Sequence, residues 1–163
     1  MASRQAPDMA EVLRRLEALE DERGILQTYY RYGHSVDYGR VGDWVDCFTE
    51  EGAYEIRRRP GIAGQQVVRN EGRAALTKFI SAHPHAPQNY LKHLMIEPRI
   101  AIKGKEATAQ SYFVVVEESD QGPYVRSFGR YLDKMVKCPD GVWRFTERIS
   151  EVEGSQGRTK AFG

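Results

Sequence analysis

Apolar residues Met9, Val12, Leu13, Leu16 and Leu19 recur at the i, i+3, i+4, i+7 spacing of one helical face, which predicts an amphipathic helix beginning at Asp8. Asp8 is the expected N-cap, because a carboxylate there accepts a backbone N–H of the first turn. The stripe continues through Ile25, Leu26, Tyr29, Tyr30, Gly33 and Asp37, with Gly24 as an expected kink and Gly39 and Gly42 as the breakers. A short helix from about Asp43 carries Trp44, Val45 and Phe48 on one side and closes at Glu51-Gly52. The period then changes to 2. Residues 53–58 read as a strand with Tyr54 and Ile56 on one face, 60–72 as a connection, and 73–82 as a helix burying Ala75, Leu76, Phe79 and Ile80. Four alternating runs follow, at about 90–102, 107–117, 124–136 and 142–152, joined by Gly- and Pro-containing turns. Connections this short make antiparallel pairs, so the expectation is an α+β fold with N-terminal helices covering one face of a strongly curved antiparallel sheet.

Composition narrows the function classes. The chain has 163 residues, the size of one domain, which is expected over 8–153 between a disordered start at 1–7 and a tail at 154–163. A net charge of +1 gives no field to attract nucleic acid or an anionic membrane, so neither is an expected partner. No apolar run approaches the roughly 20 residues of a bilayer span, and the N-terminus lacks the apolar stretch of a signal peptide. A cytoplasmic location is expected. Cys47 and Cys138 have no metal-ligand spacing and read as free thiols. His83 and His85 sit in a proline-marked loop without a third ligand, so no metal site is expected. The G-I-A-G-Q-Q stretch lacks the strand-to-helix context of a phosphate loop, and no cofactor is expected.

The order of elements, with Y-x-x-x-V-D-Y-G-R-V-G-D-W-V-D-C-F-T-E-E-G-A-Y-E-I, K-H-L-M-I-E-P-R-I, S-F-G-R-Y-L-D-K-M-V and D-G-V-W-R-F, resembles the SnoaL-like branch of the nuclear transport factor 2-like superfamily over about residues 8–152. The resemblance implies a cone of helices on a bent sheet with an apolar pocket between them. It also implies relatives with different roles: scytalone dehydratase, ketosteroid isomerase, limonene epoxide hydrolase, polyketide cyclases and the small subunits of ring-hydroxylating dioxygenases. One fold hosts catalytic and structural members, so the site has to decide.

Asp37 follows Tyr30 by seven residues and shares its helix stripe, an unusual place for a carboxylate. His93 shares a strand face with Leu91 and Met95. By resemblance these match the pocket aspartate and a catalytic histidine of scytalone dehydratase, so His93 is the expected general base and Asp37 its orienter. The resemblance departs at Ser111, which stands where the dehydratase has a second histidine, and scytalone itself is not the expected substrate. Tyr30 and Tyr54 are the expected carbonyl-polarising phenols, and Trp44, Phe48, Ser111, Phe113 and Phe128 the other expected substrate-binding residues. The strand at 124–136 has two open parities: Arg126, Phe128 and Arg130 inward, or Ser127, Gly129 and Tyr131. An inward Arg126 near Asp133 would suit the Asp, Arg, Asp pattern of the epoxide hydrolase.

The expected function is a lyase or isomerase without cofactor, of dehydratase, cyclase or ketone-isomerase type, acting on a small apolar cyclic or hydroxylated ketone. The alternatives are a non-catalytic subunit or ligand-binding module like the dioxygenase small subunit, and an epoxide hydrolase-like enzyme. A homodimer or higher homo-oligomer is expected in every case.

Overall fold

Helix α1 (Met9–Asp37) is continuous over 29 residues, and Asp8 caps it by accepting the Glu11 N–H at 2.7 Å. The computed structural model describes residues 8–58 and 65–156, so the expected frayed start at 1–7 lies outside the described residues, as does most of the expected tail. The helix runs through Gly24 without a break. The glycine makes a notch for Trp143, whose ring would stand 2.9 Å from a Cβ at that position. Around this notch the helix is pinned to the sheet: the Thr28 hydroxyl donates to the Trp143 carbonyl at 2.6 Å and the Trp143 indole donates to Asp21 at 3.0 Å. The stripe Met9, Val12, Leu13, Leu16 and Leu19 is 42–71% exposed and overhangs the domain.

The remaining elements are α2 (Val41–Val45), β1 (Phe48–Arg58), β2 (Gln66–Glu71), α3 (Gly72–Ser81), β3 (Leu91–Lys103), β4 (Glu106–Glu117), β5 (Tyr124–Lys137) and β6 (Trp143–Ser155). Two boundaries differ from the sequence reading. Phe48 opens β1 rather than ending the short helix, and β2 occupies part of the expected connection. The six strands form one sheet in the order β2-β1-β6-β5-β4-β3. The four C-terminal strands pair antiparallel as expected, but β1 runs parallel to β6, so the sheet is mixed and the fold α+β.

Alternation sets the buried face. In β4 it is Ala107, Ala109, Ser111, Phe113 and Val115, and in β5 Gly129, Tyr131, Asp133 and Met135. This fixes the open parity of 124–136 with Gly129 and Tyr131 inward and Phe128 on the outer face, while a register shift leaves Arg126 out of the alternation and bonded to Glu117. The core joins these side chains to Ile25, Tyr29, Tyr32 and Val36 of α1, Trp44 and Val45 of α2, and Leu76 and Ile80 of α3. Among the described residues no helix is long and apolar enough to cross a membrane.

Candidate functional site

The chain places a carboxylate and an imidazole together where the end of α1 meets the edge strand β3. Three features bring α1 close. Gly33 faces β3 without a side chain; a Cβ there would stand 2.9 Å from Met95 Cε and 3.5 Å from the His93 carbonyl. Asp37 lies one turn further on, so it reaches the same strand. Gly39, at φ +64°, then ends the helix, with the Arg40 N–H donating back to the Ser35 carbonyl at 2.9 Å in the manner of a Schellman turn.

The Asp37 carboxylate is 5% exposed, and among the described residues its hydrogen-bond donors all belong to His93. It accepts the His93 backbone N–H at 3.1 and 3.3 Å, capping a donor that an edge strand otherwise leaves open, and it accepts from the ring at Nδ1, 2.8 Å. An ionised carboxylate only accepts, so the hydrogen sits on Nδ1 and the neutral ring presents the lone pair of Nε2. That nitrogen makes no hydrogen bond among the described residues.

His93 and Asp37 line a cleft of about 660 Å³, within the ~300–1,000 Å³ range of small-molecule sites. Leu26, Tyr29, Tyr30 and Gly33 of α1 form one wall; Leu94, Met95, Ile96 and Pro98 of β3 form the other. Lys92 and Tyr38 close one end, with the ammonium 4.3 Å from the ring centre. A second depression, of about 700 Å³, lies on the outer face of the sheet among Arg57, Arg99, Leu132, Lys134 and Glu147. It offers no histidine.

The other expected site residues separate into three places. Tyr30 lines the cleft but is 48% exposed rather than buried. Trp44, Phe48, Tyr54 and Phe113 are in the core, where Trp44 and Phe48 pack at 4.9 Å and Tyr54 stacks on Phe79 at 5.2 Å between ring centres. Tyr54 is therefore not a wall of the cleft. Ser111 is buried, and among the described residues its hydroxyl has no partner. Phe128 lies on the outer face, 45% exposed, which corrects its expected place in the pocket.

One buried residue escaped the sequence reading. Arg148, 0% exposed, pairs bidentately with Asp133 at 2.8 and 3.0 Å. Its guanidinium is surrounded by the rings of Tyr29, Tyr32, Tyr131 and Phe145 at 4.1–4.7 Å, and the Tyr29 hydroxyl donates to Asp133. Burial pushes the phenols of Tyr29, Tyr32, Tyr54 and Tyr131 up, so they stay neutral. The signal was hidden by an irregularity in β6. Phe145 pairs with Met135 and Glu147 with Lys134, so Thr146 is an extra residue and the inward parity passes from 143 and 145 to 148, 150 and 152. Arg126, the expected partner of Asp133, instead bonds Glu117 at 3.4 Å. Among the described residues Arg148 has one acid and not two, so the epoxide hydrolase pattern is incomplete.

With this geometry in place, comparison with known proteins becomes informative: the profile of the SnoaL-like domain matches residues 17–149. The chain belongs to the SnoaL-like domain family. Solved structures agree with this nuclear transport factor 2-like fold. A nuclear transport factor 2-like protein from Novosphingobium aromaticivorans superposes with a TM-score of 0.78 at 23% identity, covering 93% of this chain and 95% of the other. A protein of unknown function from Mycobacterium tuberculosis gives 0.71 at 29% identity, covering 83% of this chain and 73% of the other. The beta subunit of an aromatic-ring-hydroxylating dioxygenase, so described, from Novosphingobium aromaticivorans gives 0.73 at 19%, covering 89% and 95%. No curated protein matches the chain. These likenesses show the fold, and the fold alone does not choose a role.

Proposed function

We propose that this SnoaL-like protein is a lyase or isomerase that needs no cofactor, moving a proton on a small apolar cyclic or hydroxylated ketone bound in the α1–β3 cleft. One observation carries the reading: His93 Nδ1 is held at 2.8 Å by a buried carboxylate while Nε2 is left unbonded on an apolar wall. A general base needs that combination of fixed tautomer and free lone pair. In the proposed step the base takes the proton next to the carbonyl, the C–H electron pair moves onto the carbonyl oxygen as an enolate, and the proton is then returned. Return to another carbon shifts a double bond; return to a leaving hydroxyl expels water. Leu26, Tyr30, Leu94 and Ile96 would hold the apolar body of the ketone.

A second reading is a non-catalytic subunit. It is favoured by the aromatic filling of the interior, where Tyr32, Trp44, Phe48, Tyr54 and Phe145 pack ring against ring, and by the likeness to a dioxygenase beta subunit. Self-association belongs to both readings, through the overhanging half of α1 or the outer face of the sheet.

The deciding experiment is α-proton exchange in D2O on a panel of cyclic ketones followed by NMR, wild type against His93→Ala. Loss of a general base should cost about 10²–10⁴-fold. A loss below about tenfold removes the base assignment.

A further inference from the structure

The proton-transfer step creates two charges at once. His93 becomes a cation as it takes the proton, and Asp37, which accepts from its Nδ1 at 2.8 Å, stands against it. The ketone oxygen becomes an anion at the same moment and needs a donor, because a charge left uncompensated on an apolar wall is costly. Of the two phenols expected to serve it, Tyr54 is packed in the core and engaged with Tyr32 and Ser150. Tyr30 borders the cleft about 10 Å back along α1 from Asp37, the rise of seven helical residues.

A third phenol stands beside the base. The chain leaves α1 at Tyr38, the residue after Asp37, and Tyr38 and Lys92 border the same cleft as His93. Two neighbours at the helix end thus meet two neighbours of the strand: Asp37 bonds His93, and the Lys92 ammonium donates to the Tyr38 hydroxyl at 3.3 Å. Successive strand side chains point to opposite faces, and β3 is an edge strand, so both reach a groove that runs along it. The ammonium is held at three points, since it also donates to the Leu91 carbonyl at 3.2 Å and lies 4.3 Å from the Tyr38 ring centre. Among the described residues its hydrogen bonds go to these two oxygens and to no carboxylate. The Tyr38 oxygen is the acceptor in this pair, so its own hydrogen is uncommitted among the described residues. Hydrogen bonds in series polarise one another, which makes a phenol backed by an ammonium a stronger donor. Tyr38 is 47% exposed, and a ligand in the cleft can reach it.

We propose that Tyr38 is the electrophile of this cleft, its hydroxyl donating to the carbonyl oxygen of the bound ketone while His93 removes the adjacent proton. Lys92 is a positioning residue that acts through the phenol. The proposal rests on the proton-transfer reading and deepens it. In the balanced step the C–H bond breaks, its proton goes to His93 Nε2, and its electron pair forms the carbon–carbon double bond of the enolate as the carbonyl pair moves onto oxygen. The Tyr38 hydrogen stays on its own oxygen and bonds the growing negative charge. Before the step Asp37 and Lys92 face a neutral ring and a neutral ketone; after it Asp37 faces the imidazolium, and Lys92, through the phenol, the enolate. Each new charge arises beside a fixed charge of opposite sign, which favours the transition state over the ground state. The same arrangement orients the ketone, with its oxygen toward the Lys92 end and its apolar ring among Leu26, Leu94 and Ile96.

The probes are 2-tetralone, whose α-protons exchange through its enolate, and 2-naphthol, which has the shape of its enol. Tyr38→Phe should slow exchange by about 10²-fold, the effect of losing one donor to a developing oxyanion. It should weaken 2-naphthol by about tenfold while leaving naphthalene binding unchanged. The naphthol also reports on the oxyanion at equilibrium. At one pH the share of bound 2-naphthol present as naphtholate, read from its absorbance, should exceed that of free naphthol in the wild type and fall back in Tyr38→Phe. Lys92→Met should lower both this share and the exchange rate, the latter by about tenfold, and Lys92→Arg, which keeps a cation behind the phenol, should restore them. Equal naphtholate shares in Lys92→Met and wild type overturn the part given to Lys92. Exchange within about threefold of wild type in Tyr38→Phe, with His93→Ala inactive, overturns the assignment of Tyr38 alone. A wild type no faster than His93→Ala overturns the proton-transfer reading and this one with it.

Discussion

At the residue scale the site depends on which nitrogen of His93 carries its hydrogen, and Asp37 decides that. Asp37→Asn keeps an oxygen that can still accept from the strand but removes the charge that holds Nδ1–H. The expected outcome is a loss of ketone exchange of up to about 10⁴-fold, as for a base deprived of its orienting carboxylate, with a melting temperature close to wild type. Equal exchange rates in the two proteins would remove the orienting role. His83 gives a second residue-scale prediction. Burial lowers its folded pKa to about 4, below the ordinary 6.5, so between those values the unfolded chain binds a proton that the folded chain does not. Stability should therefore be level above about pH 6.5 and fall as pH drops toward 4, and the slope should shrink in His83→Phe. His93, Arg126 and His85 face His83 and oppose its protonation, while Asp37 favours it, so the comparison needs the wild type in the same buffers. A slope unchanged by the substitution would count against a neutral buried ring. The buried Arg148–Asp133 pair supplies a third test by urea unfolding. Removing either partner alone should cost about 3–5 kcal/mol, whereas replacing both by apolar residues of similar volume should cost far less.

At the element scale, α1 shows what was legible in the sequence and what was not. Its register, its cap at Asp8 and the alignment of Asp37 with the buried stripe follow from a 3.6-residue period, and all are present. The function of its glycines does not follow from a period. Gly24 reads as a weak point but is a contact, with Trp143 in the space of its missing side chain. Gly24→Ala should therefore destabilise the protein by about 1–3 kcal/mol, because a rigid buried indole must move, even though alanine alone favours a helix by about 1 kcal/mol. Thermal unfolding measures the sign, and a stabilised variant would show that the notch is not needed. The strands divide in the same way. Alternation located β3 to β6 to within about three residues at each end, yet the parity of Arg148 was invisible, because one extra residue in β6 reverses which side chains face inward. The parallel pairing of β1 with β6 was also unreadable, since strand periodicity carries no direction.

At the scale of the whole molecule the unresolved balance is apolar surface. The first half of α1 presents Met9, Val12, Leu13, Leu16 and Leu19 to solvent, and the outer face of the sheet presents Tyr112, Val125 and Phe128. A single exposed leucine needs no explanation, but five apolar residues at helical spacing form a continuous stripe of the kind that marks an interaction surface. The overhang also has little of its own to hold it. Below Asp21 no α1 side chain is buried, and an unsupported helix of about 12–15 residues is marginal in water. A second copy is the partner that the family habit of self-association and the near-zero net charge favour, because a charge of +1 sets up no long-range repulsion between copies. Gel filtration with light scattering at micromolar concentration should accordingly give a dimer or larger species. Leu13→Glu with Leu16→Glu should shift it toward monomer if the helix is the contact, and Tyr112→Glu with Phe128→Glu if the sheet is. Each pair leaves Asp37, Tyr38 and His93 untouched, so exchange activity measured on the same samples separates assembly from chemistry. A clean monomer in the wild-type chain would leave the stripe without a second copy to cover it and direct attention to a different protein, which is the situation the non-catalytic reading requires.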